Sequence, residues 1–504
     1  MEFRHAPTPG WRGVRSEPST GGGIIAPEFE RNVSKRSVTE RSARVRILLW
    51  HGYLLSGSGS NLYTVNISRI WRSEGHDVLL MCQERHAGEF AFVDAAGGFN
   101  ADNTRFELMQ TSHEQATGRL RVLRPNIGEV LPVYVYDEYE GFTVKRFVDL
   151  TDEELERYTS ANIRAMVTAI EEHQPDAIIT GHEVMGPYIA REACRRTGTE
   201  YLAKLHGSAL EYAVKEQPER YAEFASAGLG SARVVAGGSN YMVAEASSVV
   251  PGWESRAQVV NPGCDVELFR PADRDASAPP SVGYVGKFIV SKGVHNLLGS
   301  LGLTTTENLN VTIVGYGGFE RGLHEIGSAL RTNDPEVLET LAVRGDGTQE
   351  LGHLLEFIDG GRATGPYFAR AARVNVQWPG RLEHAALSQV LPYFDVLVVP
   401  SILAEAFGMV AAEAAACGVF PIVPDHSGIG EVGRLVEEAI GAPGLLTYDP
   451  DEPLEGIARC IDSVFAIPHA ERAAMETRAV ELARSRWSWG VVADRLLELA
   501  APGE

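Results

Sequence analysis

The sequence predicts an α/β protein built from two successive doubly wound domains. Apolar strand-like runs alternate with amphipathic helical patterns along most of the chain, and this alternation restarts after a Pro- and Asp-rich stretch at 262–280. The length of 504 residues is also typical of more than one domain. Such alternation favours a parallel sheet covered by helices on both faces. Ligands bind beyond the carboxyl ends of such strands, so we expect functional residues directly after each strand.

The first series of strands occupies 45–260, after a Gly-, Pro-, Ser- and Arg-rich stretch at 1–44. That stretch has no apolar signal core, and we expect a disordered tail. Val45–Trp50 is predicted as a buried strand, and the pattern that follows predicts a helix with Ser60 as its N-cap. The remaining predicted strands of the series are 78–83, 176–180, 200–206 and 233–237.

The second series occupies 261–470, and we expect 471–504 to form C-terminal helices that cross back to the first domain. Its predicted strands are 281–287, 310–315, 373–378, 395–401 and 419–424. Two segments do not follow the alternation of strands and helices. Leu131–Phe147 is dense in aromatic and acidic residues, which indicates either a flap beside the acceptor or a β-hairpin at the domain edge. Gly327–Ala372 is too long for a plain connection, and we expect extra helices there.

Composition excludes several classes of protein. The chain carries 46 basic and 67 acidic residues, and its net charge of −21 disfavours nucleic acid and anionic membranes as partners. The sequence has no run of 18 apolar residues that could span a membrane. Its five scattered cysteines form no C-x-x-C pair, which favours a reducing cytoplasm over a disulfide framework or a zinc site. The oligomeric state stays open.

The stretch Ser401–Gly418 contains two acidic residues, one just before a predicted helix and one within it. Glu405 lies in the loop after a predicted strand, and Glu413 lies in the small-residue helix that begins near Gly408. Gly408 allows a ligand to approach the backbone, and the N–H groups of Met409 and Val410 suit a negative oxygen. A nucleotide sugar fits this arrangement. From this stretch alone, two solvated surface acids are an equal alternative.

Other strand ends add to these candidates. Lys287 follows one strand and Lys292 begins the next helix, and with Gly286 and Gly293 they could bracket a diphosphate. Two surface lysines are the alternative. Gly315 and Gly317 predict a tight turn, because the third glycine of a dinucleotide fingerprint is misplaced.

The first series offers weaker candidates. Gly57 and Gly59 form a glycine loop before a helix, which could admit a phosphate or a second substrate. His206 ends a predicted strand and would face the cleft, although a capping or core histidine is the simpler alternative. His182 is a similar and weaker candidate.

Together these residues resemble the retaining glycosyltransferases of family 4, whose GT-B fold has two facing Rossmann-like domains with an interdomain cleft. The resemblance runs from Val45 to the C-terminus. "NPGCDVELFRP" is similar to the family's interdomain segment, with Pro262 for the usual Asn and Cys264 for the usual Val. "GKFIVSKG" is similar to its phosphate-binding motif, and "EAFGMVAAE" to its E-x7-E signature.

The resemblance implies a hexosyl transfer from a nucleotide sugar, of UDP or GDP type, to a small-molecule or glycan acceptor. Glu405 would bind hydroxyls of the donor sugar, Glu413 the ribose, and Lys287 with Lys292 the departing diphosphate. His206 would contact the sugar from the opposite domain. Arg381 and Leu382, in the turn after Gly380, would border the base. The nucleotide sugar is a co-substrate, and no other cofactor and no metal is implied.

Alternatives to this function remain. A nucleotide-sugar epimerase on a similar fold would turn over donor without an acceptor, and an inactive homologue would only bind it. A nicotinamide oxidoreductase lacks its glycine fingerprint here, and a serine hydrolase lacks G-x-S-x-G. The D-x-D patterns at Asp273–Asp275 and Asp449–Asp451 lie in Pro-rich turns and are interpreted as incidental.

Overall fold

The computed structural model describes residues 44–111, 116–136 and 138–501, so the expected tail lies outside the described residues except for Arg44. The strands of the first half are β1 (Arg46–Trp50), β2 (Asp77–Met81), β3 (Ala95–Phe99), β4 (Phe106–Gln110), β5 (Arg119–Arg124), β6 (Val130–Val133), β7 (Thr143–Arg146), β8 (Ala177–Gly181), β9 (Leu202–Lys204), β10 (Val234–Gly237) and β11 (Ala257–Val259). Its helices are α1 (Gly59–Ser73), α2 (Asp152–His173), α3 (Gly186–Thr197), α4 (Pro218–Ser231) and α5 (Asn240–Val249).

The second half begins at residue 281. Its strands are β12 (Ser281–Lys287), β13 (Asn310–Tyr316), β14 (Asn375–Gly380), β15 (Val396–Val398), β16 (Phe420–Pro424) and β17 (Thr447–Tyr448). Its helices are α6 (Val294–Ser300), α7 (Glu320–Thr332), α8 (Pro335–Arg344), α9 (Gly352–Asp359), α10 (Gly365–Ala371), α11 (His384–Leu387), α12 (Met409–Ala416), α13 (Ser427–Ile440), α14 (Pro453–Ala466), α15 (His469–Arg486) and α16 (Trp489–Ala500).

Both sheets are doubly wound, as the sequence predicts. In the described residues the first sheet runs β11-β10-β9-β8-β1-β2-β5-β3-β4, and all of its pairs are parallel except β3 with β4. The second runs β14-β13-β12-β15-β16-β17 and is wholly parallel. In each sheet the winding reverses beside the first strand of the series, between β1 and β8 and between β12 and β15. Such a switch point opens a crevice at the carboxyl ends of the strands.

The end of the chain returns to the first half. Helix α15 packs on α12 and α13 of the second half, whereas α16 packs on α1. The indole N–H of Trp71 in α1 donates to the carbonyl of Ala493 at 3.1 Å, and Leu496 is fully buried in the core of the first half. The chain therefore crosses over near Trp487, and the expected boundary at 471 falls inside α15.

The extra helices expected in Gly327–Ala372 are present. This segment contains the end of α7 and all of α8, α9 and α10. Leu338, Phe357 and Tyr367 are buried from these helices, so the insertion enlarges the core of the second half. Among the described residues, no helix is both long and apolar enough to cross a membrane.

Two local predictions were wrong. The N-cap of α1 is Ser58, not Ser60, because Ser58 has the extended backbone that a cap requires and its hydroxyl accepts from the N–H of Asn61 at 3.3 Å. The segment 131–147 is not a hairpin, since β6 and β7 pair in parallel. The buried ring of Tyr134, directly after β6, packs on the ring of Phe147, directly after β7, at 4.7 Å between centroids.

Candidate active site in the cleft

A cavity of about 880 Å³ lies between the carboxyl ends of the two sheets. Its wall contains every residue of the predicted site: Glu405, Lys287, Lys292, His206, Glu413, Gly408, Met409, Val410, Gly57, Gly59, Arg381 and Leu382. The candidates come from loops far apart in sequence, and the two switch points bring them to one place. His182 does not line this cavity, and its ring lies behind His206 at 4.8 Å between centroids.

Lys292 and Glu405 form an ion pair in the cavity wall that the second half contributes. The ammonium Nζ of Lys292 donates to Oε1 of Glu405 at 2.8 Å, and their side chains are 35% and 18% exposed. The loop that carries Glu405 is held in turn, because the Glu405 N–H donates to the hydroxyl of Ser427 at 3.0 Å. Sequence reasoning gave these two residues separate roles, and the structure makes them one charged unit.

Two glycines shape this wall. Gly293, which follows Lys292, has φ of +68°, and a Cβ there would lie 1.8 Å from the carbonyl oxygen of Pro400. Gly408 has φ of +98°, and a Cβ there would lie 2.9 Å from Ile429. Each glycine therefore lets a loop after β12 or β15 pass closer to its neighbour than any other residue would allow.

Helix α12 points its N-terminus into the cavity. Its N-cap is Gly408, which has no side chain to cap the helix, and Met409 and Val410 of its first turn line the cavity. The first N–H groups of a helix have no intrahelical partner, and the helix dipole adds partial positive charge there. This end of the cavity suits an anion.

Glu413 lies in the second turn of α12, where it is 6% exposed. The Nε2 atom of His384 lies 3.6 Å from Oε1 of Glu413, and the carboxylate raises the pKa of His384 above its ordinary value of 6.5. His384 also lines the cavity and was missed by sequence reasoning. No local signal marks it, because its role depends on a contact with another helix.

Lys287 and Arg381, two further predicted residues of this wall, are exposed. Lys287 is exposed at the end of β12, and no described carboxylate lies within ion-pairing distance of it. Arg381 stacks over the ring of Tyr316 at 4.8 Å and pairs with Glu383 at 2.8 Å, and Leu382 lies beside it. A flat group could therefore pack against this aromatic and guanidinium edge.

The opposite wall belongs to the first half. Gly57 borders the cavity two residues before α1, and Gly59 borders it as the first residue of α1. A Cβ at either position would meet no heavy atom within 4 Å. These glycines face open space, so the loop leaves room for a ligand. Lys204 and Ser208 also line this wall.

Three histidine rings lie together at the ends of β1, β8 and β9. His206 faces the cavity, His182 packs behind it, and His51 lies 6.1 Å from His182 between ring centroids. Burial lowers the pKa of His51 to about 4, and it lowers the pKa of His182 and of His206 well below the ordinary histidine value. Burial also lowers the pKa of Lys204 to about 7. The imidazoles are therefore neutral at neutral pH, when they can donate and accept hydrogen bonds.

Glu183 holds the loop that presents His206. Its carboxylate is fully buried and accepts from the backbone N–H groups of His206, Gly207 and Leu210 at 3.0, 2.7 and 3.2 Å. Burial raises the pKa of Glu183, whereas these hydrogen bonds favour the charged form. Sequence reasoning missed Glu183, although its place directly after β8 was an available signal.

Two family models match the chain, one in each half. Residues 58–263 match the family described as "Glycosyl transferase 4-like domain", and residues 368–479 match "Glycosyl transferases group 1". The chain is similar to proteins named D-inositol 3-phosphate glycosyltransferase. The relative from Rhodococcus erythropolis is 30% identical over 48% of this chain and 48% of its own, and the one from Mycobacterium marinum is 27% identical over 48% and 44%. The chain thus spans about half the length of the curated relatives it matches.

Solved structures share the fold. A glycosyltransferase from Rickettsia africae is 14% identical, with a TM-score of 0.56 over 91% of this chain and 98% of its own. Sucrose-phosphate synthase from Thermosynechococcus elongatus is 18% identical, with a TM-score of 0.52 over 90% and 98%. Anabaena HepE in complex with UDP-glucose is 14% identical, with a TM-score of 0.53 over 90% and 99%.

The His384–Glu413 pair predicts a pH-dependent contribution to stability. Glu413 favours protonated His384, so the contribution is complete below the ordinary pKa and disappears as pH rises through the raised pKa. We expect His384→Asn to lower the free energy of unfolding at pH 6 by up to about 1 kcal/mol, and to have no such effect at pH 9. Urea unfolding at both pH values measures this, with exposed His469→Asn as the control. An equal loss at both pH values would contradict the ion pair.

Proposed function

We propose that the chain, which belongs to the family 4 glycosyltransferases of the GT-B fold, transfers a sugar from a nucleotide-sugar donor to an acceptor hydroxyl group. The observation that supports this most directly is the composition of the cleft. Two lysines, an uncapped helix N-terminus and two carboxylates surround one cavity. This set matches a ligand with a diphosphate in the middle and hydroxyl groups on either side.

In this proposal the diphosphate lies between Lys287, Lys292 and the N-terminus of α12. Glu405, at the mouth of the helix, accepts hydrogen bonds from hydroxyl groups of the donor sugar. Glu413, one turn deeper, binds the ribose together with His384. The base packs beside Arg381 and Leu382. Each charged group then faces the part of the donor that its charge suits.

The chemical step follows from these positions. The bond between the anomeric carbon and the diphosphate oxygen breaks, and a bond from that carbon to the acceptor oxygen forms. The acceptor proton moves to the departing diphosphate. Fixed cations and helix N–H groups stabilise the charge that develops on the leaving group. We propose retention of configuration through a front-face, ion-pair-like transition state, in which neutral His206 contacts the sugar and no protein nucleophile is needed.

The named relatives and the fold neighbours suggest which donors and acceptors to test first. HepE, which shares the fold, was solved with UDP-glucose, so UDP-sugars are the first donors to test and GDP-sugars the second. The curated relatives are named for D-inositol 3-phosphate, which makes it the first acceptor to test. The five cysteines are all free and buried, which supports the proposal of a cytoplasmic location.

A binding screen followed by a turnover assay tests the function. Nucleoside diphosphates and their sugars are screened by thermal shift, since a ligand at 100 times its Kd stabilises the folded state by about 2.7 kcal/mol. The donor found in this way is then incubated with and without candidate acceptors. Donor turnover that requires an acceptor supports transfer. Conversion of the donor to another nucleotide sugar without an acceptor would identify an epimerase instead.

Substitution of Lys287 or Lys292 tests their proposed contacts with the diphosphate. We expect Lys292→Ala and Lys287→Ala each to weaken nucleoside diphosphate binding about 10- to 100-fold, because a hydrogen bond to a charged group contributes about 1.5–3 kcal/mol. Calorimetric titration of each variant measures this, with Lys145→Ala, outside the cleft, as the control. Since Lys292 also neutralises Glu405, its substitution should slow turnover more than that of Lys287. Unchanged affinity in both variants would remove the phosphate assignment.

The two acids predict different losses. We expect Glu405→Gln to lower turnover while free nucleoside diphosphate still binds, because Glu405 contacts the sugar. We expect Glu413→Gln to weaken diphosphate and donor alike about 10- to 100-fold, because Glu413 binds the ribose. For each variant, the affinities for free nucleoside diphosphate and for donor are measured together with the turnover rate. The exposed variant Glu438→Gln is the control. An equal loss of diphosphate affinity in both variants would show that the roles are not divided.

We expect the proposed transfer to need no metal ion. The lysines and the helix N-terminus already supply positive charge at the leaving group. The carboxylates of Asp275 and Asp449, from the D-x-D patterns, accept from the backbone of Ser277 and Asp451 in their own turns. We expect transfer to survive a strong chelator with little loss of rate. Loss of activity that magnesium or manganese restores would mean that the leaving group is stabilised by a metal.

A further inference from the structure

A second cavity, of about 140 Å³, lies at the same edge of the first sheet as the cleft. It is bordered by the ends of three adjacent strands. Gln83 and Arg85 follow β2, Gly98 lies near the end of β3, and Arg124 is the last residue of β5. Asn126 completes its polar lining. The proposed transfer of a sugar uses none of these residues.

Two guanidinium groups line this cavity, those of Arg85 and Arg124. Among the described residues, no carboxylate forms an ion pair with Arg85 or Arg124. Arg124 is half-buried, and burial together with the charge of Arg85 lowers its pKa. Two like charges beside one small cavity repel each other, and an anion bound between them would remove that cost.

Arg85 is exposed, but two contacts hold its guanidinium in position. Its guanidinium lies over the ring of Phe142 at 4.2 Å and donates to the carbonyl oxygen of Gly141. Gly141 has φ of +77°, and a Cβ there would lie 2.8 Å from the Arg85 guanidinium. The segment 131–147, whose role the sequence left open, therefore positions one of the two cations.

Packed side chains connect this cavity to the cleft. The N–H of Gln83 donates to the carbonyl of Tyr53 at 2.6 Å, and the Tyr53 ring lies 5.3 Å from His182. His182 packs on His206, which lines the cleft. One backbone hydrogen bond and two ring contacts therefore link the arginine cavity to His206 in the wall of the cleft.

We propose that the cavity between Arg85 and Arg124 binds an acidic group, a phosphate or a carboxylate, that is carried by the acceptor. The planar guanidinium fork matches both oxyanions, and two forks can hold one group from two sides. The volume fits one such group. The location on the first half, away from Lys287 and Lys292, separates it from the donor diphosphate. This inference rests on the proposed function for the identity of the acceptor, but the binding site can be tested alone.

Titration with inorganic phosphate tests the site. The protein is first saturated with the nucleoside diphosphate that the screen identifies, so that phosphate cannot enter the donor site. If no nucleoside diphosphate binds, the titration is done with the Lys292→Ala variant, whose donor site should hold phosphate more weakly. We expect one phosphate to bind, and Arg124→Gln and Arg85→Gln each to weaken it at least tenfold. Arg157→Gln, an exposed arginine of α2, should leave the affinity unchanged. Absence of binding, or equal weakening in Arg157→Gln, would overturn the site.

Lysine variants and the affinity for nucleoside diphosphate separate loss of the arginine site from loss of the fold or of the donor site. Arg124→Lys and Arg85→Lys retain the charge without the fork, and we expect them to bind phosphate more weakly than the unchanged protein but to keep its melting temperature. Nucleoside diphosphate affinity should be unchanged in all of these variants. If it is intact while phosphate fails to bind, the arginine site is wrong and the donor site stands.

The source of the acidic group is tested with small ligands. Glucose 6-phosphate, D-inositol 3-phosphate and glucuronate are compared with inorganic phosphate in the same titration. We expect at least one of them to bind tenfold more tightly than inorganic phosphate and to lose that advantage in Arg124→Gln. If inorganic phosphate is the tightest ligand of the set, the site serves a free anion and the assignment to the acceptor is overturned.

Discussion

The hydroxyl of Ser239 joins the two halves of the chain at the cleft. It accepts from the N–H of Met242 as the N-cap of α5, and it donates to the carbonyl of Ala406 at 2.6 Å. Ala406 is the neighbour of Glu405, so the loop that carries the proposed sugar-binding acid is tied to the opposite sheet. The carboxylate of Glu431 adds to this contact by accepting from the first N–H groups of α5 at 2.9 and 2.6 Å. A helix N-terminus favours such a carboxylate.

The two crossings of the chain reinforce this contact. The N–H of Cys264, on the way out of the first half, donates to the carbonyl of Trp487 at 2.7 Å, on the way back. Gly263 packs so closely on the ring of Trp489 that a Cβ would lie 2.4 Å from it. Contacts between segments distant in sequence therefore fix the position of the cleft walls. The glycine of "NPGCD" is required there because a side chain would collide with Trp489.

The electrostatics of the cleft differ from those of the whole molecule. The chain carries a net charge of −21, yet one wall collects Lys287, Lys292 and the positive end of α12. The opposite wall is lined by the neutral imidazole of His206, behind which Glu183 is satisfied by backbone N–H groups. Local charge at the ends of the strands, not net charge, therefore makes this wall of the cleft suitable for an anion.

The sequence alone determined the doubly wound fold and indicated the loops that carry the candidate site. Apolar runs report which segments are buried strands, and the carboxyl ends of parallel strands meet, so Lys292 and Glu405 could be placed at one edge without coordinates. Only the tertiary structure decided that these two residues pair, 113 positions apart, and that Arg85 and Arg124 share a second cavity. It also decided that β6 and β7 run parallel. Periodicity reports burial and local geometry, whereas such contacts depend on which loops and strands the packing of two sheets brings together.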